Sequence, residues 1–193
     1  MKNGRGRIEL ITGPMFAGKT SELIKRVRRY SRRLGRPIRL CSVIVKFDCD
    51  TRYESDRVVT HDRDGLPAVR THVINDISPE ILYDNGIRVL CVDEGHFFKG
   101  LHQWANRAAD VGMIVVITML NGDSNREPFD GQDLLLYSYA DKIDHLRAVC
   151  DLCGHDAPFT HRKTDSTHQI EIGASESYGA VCRSCWRDLN SSE

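Results

Sequence analysis

The sequence predicts an α/β fold of the P-loop (RecA-like) kind, a mainly parallel sheet with helices on both faces, plus a small C-terminal metal-binding unit. Three observations carry this. Gly13–Thr20 reads Gly-Pro-Met-Phe-Ala-Gly-Lys-Thr and fits the phosphate-binding pattern G-x-x-x-x-G-K-[ST]. The apolar stretch Arg88–Val92 ends in Asp93-Glu94, the acids that complete a nucleoside triphosphatase-type site. Cys150-Asp-Leu-Cys153 and Cys182-Arg-Ser-Cys185 form two C-x-x-C pairs.

Taken in order, Arg7–Thr12 is short and β-rich, with Ile8, Leu10 and Thr12 alternating with the rest. Leu23, Ile24, Val27 and Leu34 then recur at helical spacing until Gly35. Strand, glycine loop, helix is the geometry that sets a helix N-terminus against a phosphate. The candidate ATP-binding segment is Gly13, Pro14, Met15, Phe16, Ala17, Gly18, Lys19, Thr20 and Ser21. Its glycines let backbone N–H groups turn inward toward phosphate oxygens. Lys19 is expected on the β and γ phosphates, and the Thr20 hydroxyl on Mg²⁺.

The helix after the loop carries Lys25, Arg26, Arg28, Arg29, Arg32 and Arg33, six basic residues in nine positions. Alternating with Val27, Tyr30 and Leu34, they read first as a solvated face or one paired across a subunit contact, and second as a nucleic-acid or nuclear-import patch. Gly35-Arg-Pro37 ends the helix, and Ile38–Val45 is predicted as the second strand. Lys46–Gly65 is polar and patternless, a functional or mobile loop whose charged residues could touch phosphates, Mg²⁺ or only water. Val69–Ile74 is predicted as a short strand and Asp76–Tyr83 as a helix with Ser78-Pro79 near its start. At the end of Arg88–Val92, Asp93 is the candidate magnesium ligand and Glu94 the candidate general base. Phe97–Asp110 reads as helix, Gly112–Leu120 as a strongly apolar strand, and Asn121-Gly-Asp as the turn that leaves it. Alternating strands and helices imply right-handed crossovers and a parallel sheet. Ligands in such sheets bind at the carboxyl ends of strands, where Gly13–Thr20, Asp93-Glu94 and Asn121-Gly122 all fall.

The 193 residues, 40% hydrophobic and 28% charged with a formal net charge of zero, suit one globular domain with a small appendage. That neutral balance gives no global case for nucleic acid or membrane, and no apolar run approaches the length of a bilayer span. The basic N-terminal heptad precedes too short a mixed segment to act as a signal h-region. The cysteines number seven. Cys41, Cys49 and Cys91 stand singly and read as buried apolar residues. Cys150, Cys153, Cys182 and Cys185 together complete a tetrahedral set that suits structural Zn²⁺, with redox pairs or disulfides as the alternative. Paired spacing in an odd count reads as reduced thiols plus metal in a cytosolic or nuclear compartment. Between the pairs, Gly154–Val181 holds small residues (Glu171–Tyr178) that could fold over a ligand or form a plain surface insertion. The expected division is 1–149 for the α/β unit and 150–193 for the metal-binding one.

At this point the motifs resemble a known family. The stretches Gly13–Leu23, Val27-Arg-Arg-Tyr30, Asp50-Thr-Arg-Tyr53 with Thr60-His-Asp62, Val92–Phe98, Ala148-Val-Cys-x-x-Cys153 and Tyr178-x-x-Val-Cys-x-x-Cys185 resemble the zinc-containing cellular and poxvirus-like thymidine kinases, from Arg7 to Trp186. The resemblance implies a cytoplasmic, ATP- and Mg²⁺-dependent kinase acting on the 5′-hydroxyl of thymidine or deoxyuridine, commonly homotetrameric and inhibited by thymidine triphosphate. It implies Glu94 as the base on the 5′-hydroxyl, with Lys19 beside it in catalysis, and Asp50 and Arg52 facing phosphates and magnesium. It implies Gly173–Tyr178 as a lasso closing over thymine largely through main-chain groups. The nucleoside set so implied is Met15, Glu94, Phe97, Leu120, Phe129, Thr160, Arg162, Gly173 and Tyr178.

The sequence departs from the family pattern in three places. His96 stands where Gln is usual, Asn121-Gly-Asp-Ser124 replaces Asp-Gly-Thr-Phe, and Gly173-Ala replaces a double glycine. These bear on pocket shape and on tolerance of other nucleosides. A histidine at 96 is also expected to add pH sensitivity near neutrality. The alternative from another class is a P-loop nucleic-acid ATPase, opposed by the neutral charge and the scarcity of aromatics around the cysteines. A nucleotide-binding regulator without activity is opposed by the presence of both Lys19 and Glu94.

Overall fold

The computed structural model describes residues 6–48, 57–59, 65–129, 132–164 and 175–191. Asp50, Arg52, Gly173 and Cys49 lie outside the described residues.

Six parallel strands form the central sheet. In chain order they are β1 (Arg7–Gly13), β2 (Ser42–Phe47), β5 (Val69–Thr71), β6 (Val89–Asp93), β7 (Ile114–Leu120) and β8 (Lys142–His145). Across the sheet they run β5-β2-β6-β7-β1-β8, so β7 lies between the phosphate-loop strand β1 and the acid-bearing strand β6. An antiparallel pair, β3 (Arg57–Val59) with β4 (Gly65–Pro67), lies outside the sheet's hydrogen bonding, and its Val58 and Leu66 join the core on the α1 side.

Side-chain alternation along each strand divides the core into two layers. Ile8 and Leu10 of β1, with Val45, Leu90, Val92, Val115 and Ile117, pack against α4 (Leu101–Asp110), whose Trp104, Ala105 and Ala108 are fully buried. Ile11, Ile44, Cys91 and Val116 pack on the other face against Leu23, Ile24, Val27 and Tyr30 of α1 (Lys19–Leu34). Continuous burial on both faces is why these strands read as unbroken apolar runs. Cys41 and Cys91 are fully buried, as expected of apolar packing.

The structure corrects several element boundaries. Ile38–Cys41 is a short helix, α2, and only Ser42 onward is strand. The Ser42 hydroxyl donates to the Ile38 carbonyl at 2.8 Å, closing the turn that propensity alone reads as strand. The expected loop 46–65 contains strand residues 57–59, with the paired 65–67 at its end. The helix expected over Asp76–Tyr83 begins at Pro79, capped by the Ser78 hydroxyl, and forms α3 (Pro79–Asp84). The one expected over Phe97–Asp110 begins at Leu101, after a 3₁₀ turn (Gly95–Phe97) and a left-handed Gly100.

Beyond β7 the chain forms α5 (Leu136–Tyr139) and edge strand β8, then β9 (Ala148–Val149), which pairs with β10 (Asp156–Ala157). An antiparallel pair follows, β11 (Phe159–Arg162) with β12 (Tyr178–Val181), and helix α6 (Arg183–Asn190) ends it. A small core of Ala148, Ala157, Ala180 and Val181 packs against Phe16 and Ala17 of the phosphate loop. No helix among the described residues is long and apolar enough to cross a membrane.

Candidate active site

The phosphate loop is shaped by two glycines. Gly13 adopts φ +149°, and a Cβ there would stand 2.5 Å from the Leu146 carbonyl oxygen, so only glycine fits. Gly18 is left-handed at φ 78° and directly precedes α1, whose first N–H groups have no side-chain cap, the arrangement that receives an anion. The Lys19 ammonium folds back and donates to the Pro14 carbonyl at 2.7 Å. Burial pushes it below the ordinary lysine value, against the opposing pull of Glu94 and Asp93.

Asp93 ends β6 on the sheet face that carries α1. The Thr20 hydroxyl donates toward its two carboxylate oxygens at 3.4 and 3.3 Å, and the Thr118 hydroxyl of β7 donates to it as well. Burial raises its pKa; the Thr118 bond, Lys19, Thr20 and Lys46 work against that rise. Lys46 is the register partner of Asp93 on β2 and is itself buried. Hard oxygen donors of this kind, Thr20 with Asp93, suit a divalent cation such as Mg²⁺.

Glu94 is left-handed (φ 56°) at the head of the 3₁₀ turn, a conformation non-glycine residues hold only under constraint, often at functional sites. Beside it His96 is fully buried, with Nδ1 accepting from the Leu120 N–H at 3.3 Å and 3.5 Å from Glu94 Oε2. Burial first, then the Lys19 charge, pushes His96 down to about 3. The expected sensitivity near neutrality is therefore corrected: this imidazole stays neutral there, because the enclosed site cannot solvate its charged form.

The His96 ring lies tilted against Phe97, with centroids 4.1 Å apart, and against Phe129 at 4.6 Å, forming an aromatic wall next to Glu94. Leu120 adjoins it through its N–H. From the C-terminal unit, the Thr160 hydroxyl accepts from the Met15 N–H at 3.1 Å, and Arg162 donates to the Tyr178 hydroxyl at 3.4 Å. The structure thus brings together Lys19, Thr20, Asp93 and Glu94 on one side, and Phe97, Leu120 and Phe129 as a wall. Thr160 is tied to the phosphate loop.

Cys150 and Cys153 lie between β9 and β10, and Cys182 and Cys185 at the start of α6. All four sulfurs lie within 4.8 Å of one another, Cys153 and Cys182 at 3.6 Å. Four thiolates about 2.3 Å from one tetrahedral ion stand about 3.8 Å apart, so the set could hold a structural metal such as zinc. The four form no disulfide.

Sequence reasoning passed over several residues here. Thr118 was hidden inside an apolar strand, and Lys46, read as the first residue of a polar loop, belongs to β2. Asn121 gives its backbone N–H to Gly13 (3.4 Å) and its side-chain amide to Pro158 (3.0 Å), bridging sheet and C-terminal unit. Trp186 donates to the Ser124 carbonyl at 3.1 Å beneath the Arg126 guanidinium. Two signals pointed to 121–124: its place at the carboxyl end of a strand and its departure from Asp-Gly-Thr-Phe.

A phosphate loop and a buried acid on strands one apart in a parallel sheet, with a candidate base beside them, define a P-loop nucleotide-dependent enzyme. Residues 6–186 match the thymidine kinase family model. The thymidine kinase of fowlpox virus (strain NVSL) is 36% identical over 184 residues, 94% of this chain and 97% of that protein. The cytosolic thymidine kinase of Homo sapiens is 35% identical over 94% of this chain and 74% of its own length. That of Oryza sativa subsp. japonica is 39% identical over 95% and 67%. The chain belongs to the thymidine kinase family and is a kinase.

Proposed function

We propose that this protein transfers the γ-phosphoryl group of ATP to the 5′-hydroxyl of thymidine, and of deoxyuridine, yielding the monophosphate. The observation that carries this reading is the meeting of Lys19, Thr20, Asp93 and Glu94 at the ends of β1 and β6, on a chain of the thymidine kinase family. Phosphoryl transfer asks the protein for positioning and charge stabilisation more than for covalent chemistry. The N–H groups of the phosphate loop bind the triphosphate, and Lys19 swings from the Pro14 carbonyl to the β and γ phosphates. Thr20 and Asp93 hold Mg²⁺, which supplies neutralisation of phosphate charge. Glu94 takes the proton of the attacking hydroxyl.

Met15, Phe97, Leu120, Phe129, Thr160, Arg162, Gly173 and Tyr178 enclose the nucleoside, and Asp50 and Arg52 reach the phosphates from the loop after β2. Residues 150–193 form a unit whose zinc, held by the four cysteines, fixes the base of the lasso, while 1–149 form the kinase unit. A cytoplasmic homotetramer inhibited by thymidine triphosphate completes the reading.

The test is ADP release from MgATP with thymidine, deoxyuridine, deoxycytidine, deoxyguanosine or no nucleoside. Release that depends on thymidine and deoxyuridine supports the reading. Turnover only on adding DNA or RNA replaces it with a nucleic-acid ATPase.

A further inference from the structure

The aromatic wall beside Glu94 is held from behind by residues that no motif includes. Phe129 is 8% exposed, with its ring 4.6 Å from His96 and 6.2 Å from Phe97. It sits on the connection between β7 and α5, whose described residues form no helix or strand to fix it. Gln132 does the fixing. Its side-chain oxygen accepts from the Phe129 N–H at 2.9 Å, its side-chain amide donates to the Leu120 carbonyl at 3.0 Å, and its own N–H donates to the Phe129 carbonyl at 2.9 Å. One side chain thus ties the wall residue to the end of β7.

The next residue anchors this turn to the sheet's helical layer. α4 begins after Gly100, which has no side chain to cap the orphan N–H groups of a first turn. Asp133 supplies the missing acceptor from outside. One carboxylate oxygen accepts from the His102 N–H at 2.7 Å and meets the His102 ring Nδ1 at 2.6 Å. An anion at a helix N-terminus also has the favourable sign for the helix dipole. Asp133 is 8% exposed, so this anchor is shielded from competing water. Leu136, fully buried in the core beneath α4, secures the far end of the segment.

We propose that Gln132 and the Asp133–His102 pair form a latch that positions Phe129, and through it set which nucleoside bases the site accepts. The proposal rests on the nucleoside-kinase reading above. These are positioning residues: none touches a reacting atom, and all act through Phe129. An apolar ring discriminates by shape only if it cannot retreat, because a hydrophobic wall free to move makes room for a larger base. The latch supplies that rigidity from three separate anchors, namely the end of β7, the N-terminus of α4 and the core.

The experiment measures kcat and KM for thymidine, deoxyguanosine and ATP in the full-length protein and in Gln132→Met, Asp133→Ala and Asp133→Asn, with thermal unfolding of each. Gln132→Met and Asp133→Ala are expected to raise the KM for thymidine roughly ten-fold, the effect of about one lost hydrogen bond. They should narrow the preference for thymidine over deoxyguanosine by a similar factor, with kcat and the KM for ATP held within about two-fold. Asp133→Asn keeps an oxygen for the His102 N–H and should recover most of the loss, which also answers any failure of Asp133→Ala to fold. An unmoved thymidine KM and preference in the folded variants overturns the latch alone. So does a fall in stability with kcat and both KM values worsening together, because that is a structural role. Absence of nucleoside-dependent ADP release in the unmodified protein overturns the kinase reading, and the latch with it.

Discussion

The Thr20 hydroxyl stands 3.3 and 3.4 Å from the two carboxylate oxygens of Asp93, a residue 73 positions away in sequence. The contact joins the end of β6 to the first turn of α1 across the intervening β7, so it exists only once the parallel sheet is assembled. Asp93→Asn keeps an oxygen that can accept from Thr118 and Thr20 but removes the charge. The expected outcome is a fold of unchanged thermal stability or better, since a buried carboxylate is costly, with a higher Mg²⁺ requirement and turnover down roughly a hundred-fold. Magnesium titration of ADP release checks it; an unaltered magnesium dependence would remove Asp93 from that role.

Glu94 holds a left-handed backbone at the mouth of the site, where nothing in the 3₁₀ turn requires an acid. The general-base role proposed for it assigns it to kcat and not to nucleotide affinity. Glu94→Gln should therefore bind ATP normally while losing roughly 10²–10⁴ in turnover. Nucleotide titration beside steady-state rates separates the two, and near-normal turnover would exclude the assignment.

Much of this arrangement was legible in the sequence because the phosphate loop, Asp93-Glu94 and the cysteine pairs are local patterns with fixed chemistry. The strands of the central sheet were legible where burial on both faces leaves no polar residue, as in Val89–Val92 and Val115–Ile117. What failed to show was long-range. Arg26 looked like one of six solvated cations, and Lys25, Arg29, Arg32 and Arg33 are indeed exposed. Arg26 instead turns inward to Glu9 of β1, a pairing no helical periodicity reveals. Gln132 and Asp133 likewise sit in a polar stretch whose partners, Leu120 and His102, come from elsewhere in the chain.

The Arg26 pairing carries a stability prediction. Its guanidinium contacts Glu9 at 3.0 Å, Glu22 at 3.1 Å and Asp144 at 2.5 Å, with Arg26 and Glu9 both buried. Removing Arg26 takes one of two arginine partners from the buried Glu9 carboxylate, which keeps only Arg7 at 2.7 Å and the Tyr30 hydroxyl. Arg26→Met should lose about 3 kcal/mol by urea denaturation, and adding Glu9→Gln should restore part of it. A loss below about 0.5 kcal/mol would class the pair with ordinary surface salt bridges.

His96 predicts the acid limb of stability. Burial depresses its folded-state value from 6.5 to about 3, so the unfolded chain takes up a proton that the folded chain refuses. The contribution is fully present above pH 6.5 and is lost as the pH falls toward 3, at up to about 1.4 kcal/mol per pH unit. His96→Gln, which cannot titrate, should flatten the fall in melting temperature between pH 6.5 and 4. An unchanged slope would mean other groups govern that limb. Between pH 7 and 8 neither protein should show an inflection in rate from this position.

The cysteine cluster is tied to the phosphate loop by two routes, which makes metal loss a site-specific event. Ala180 and Val181 of β12 share a core with Phe16 and Ala17, and Thr160 of β11 accepts from the Met15 N–H. Cys153 is the most exposed of the four cysteines, so Cys153→Ser removes a sulfur with little loss of packing. It should release the metal, loosen β11 and β12 where they carry Thr160, Arg162 and Tyr178, and raise the KM for thymidine several-fold more than that for ATP. The phosphate loop keeps its own glycine-set shape on β1, and that is why ATP should suffer less. Metal content by atomic absorption alongside the two KM values decides the matter. Retained zinc, or equal damage to both substrates, would show that the cluster neither needs Cys153 nor supports the nucleoside side.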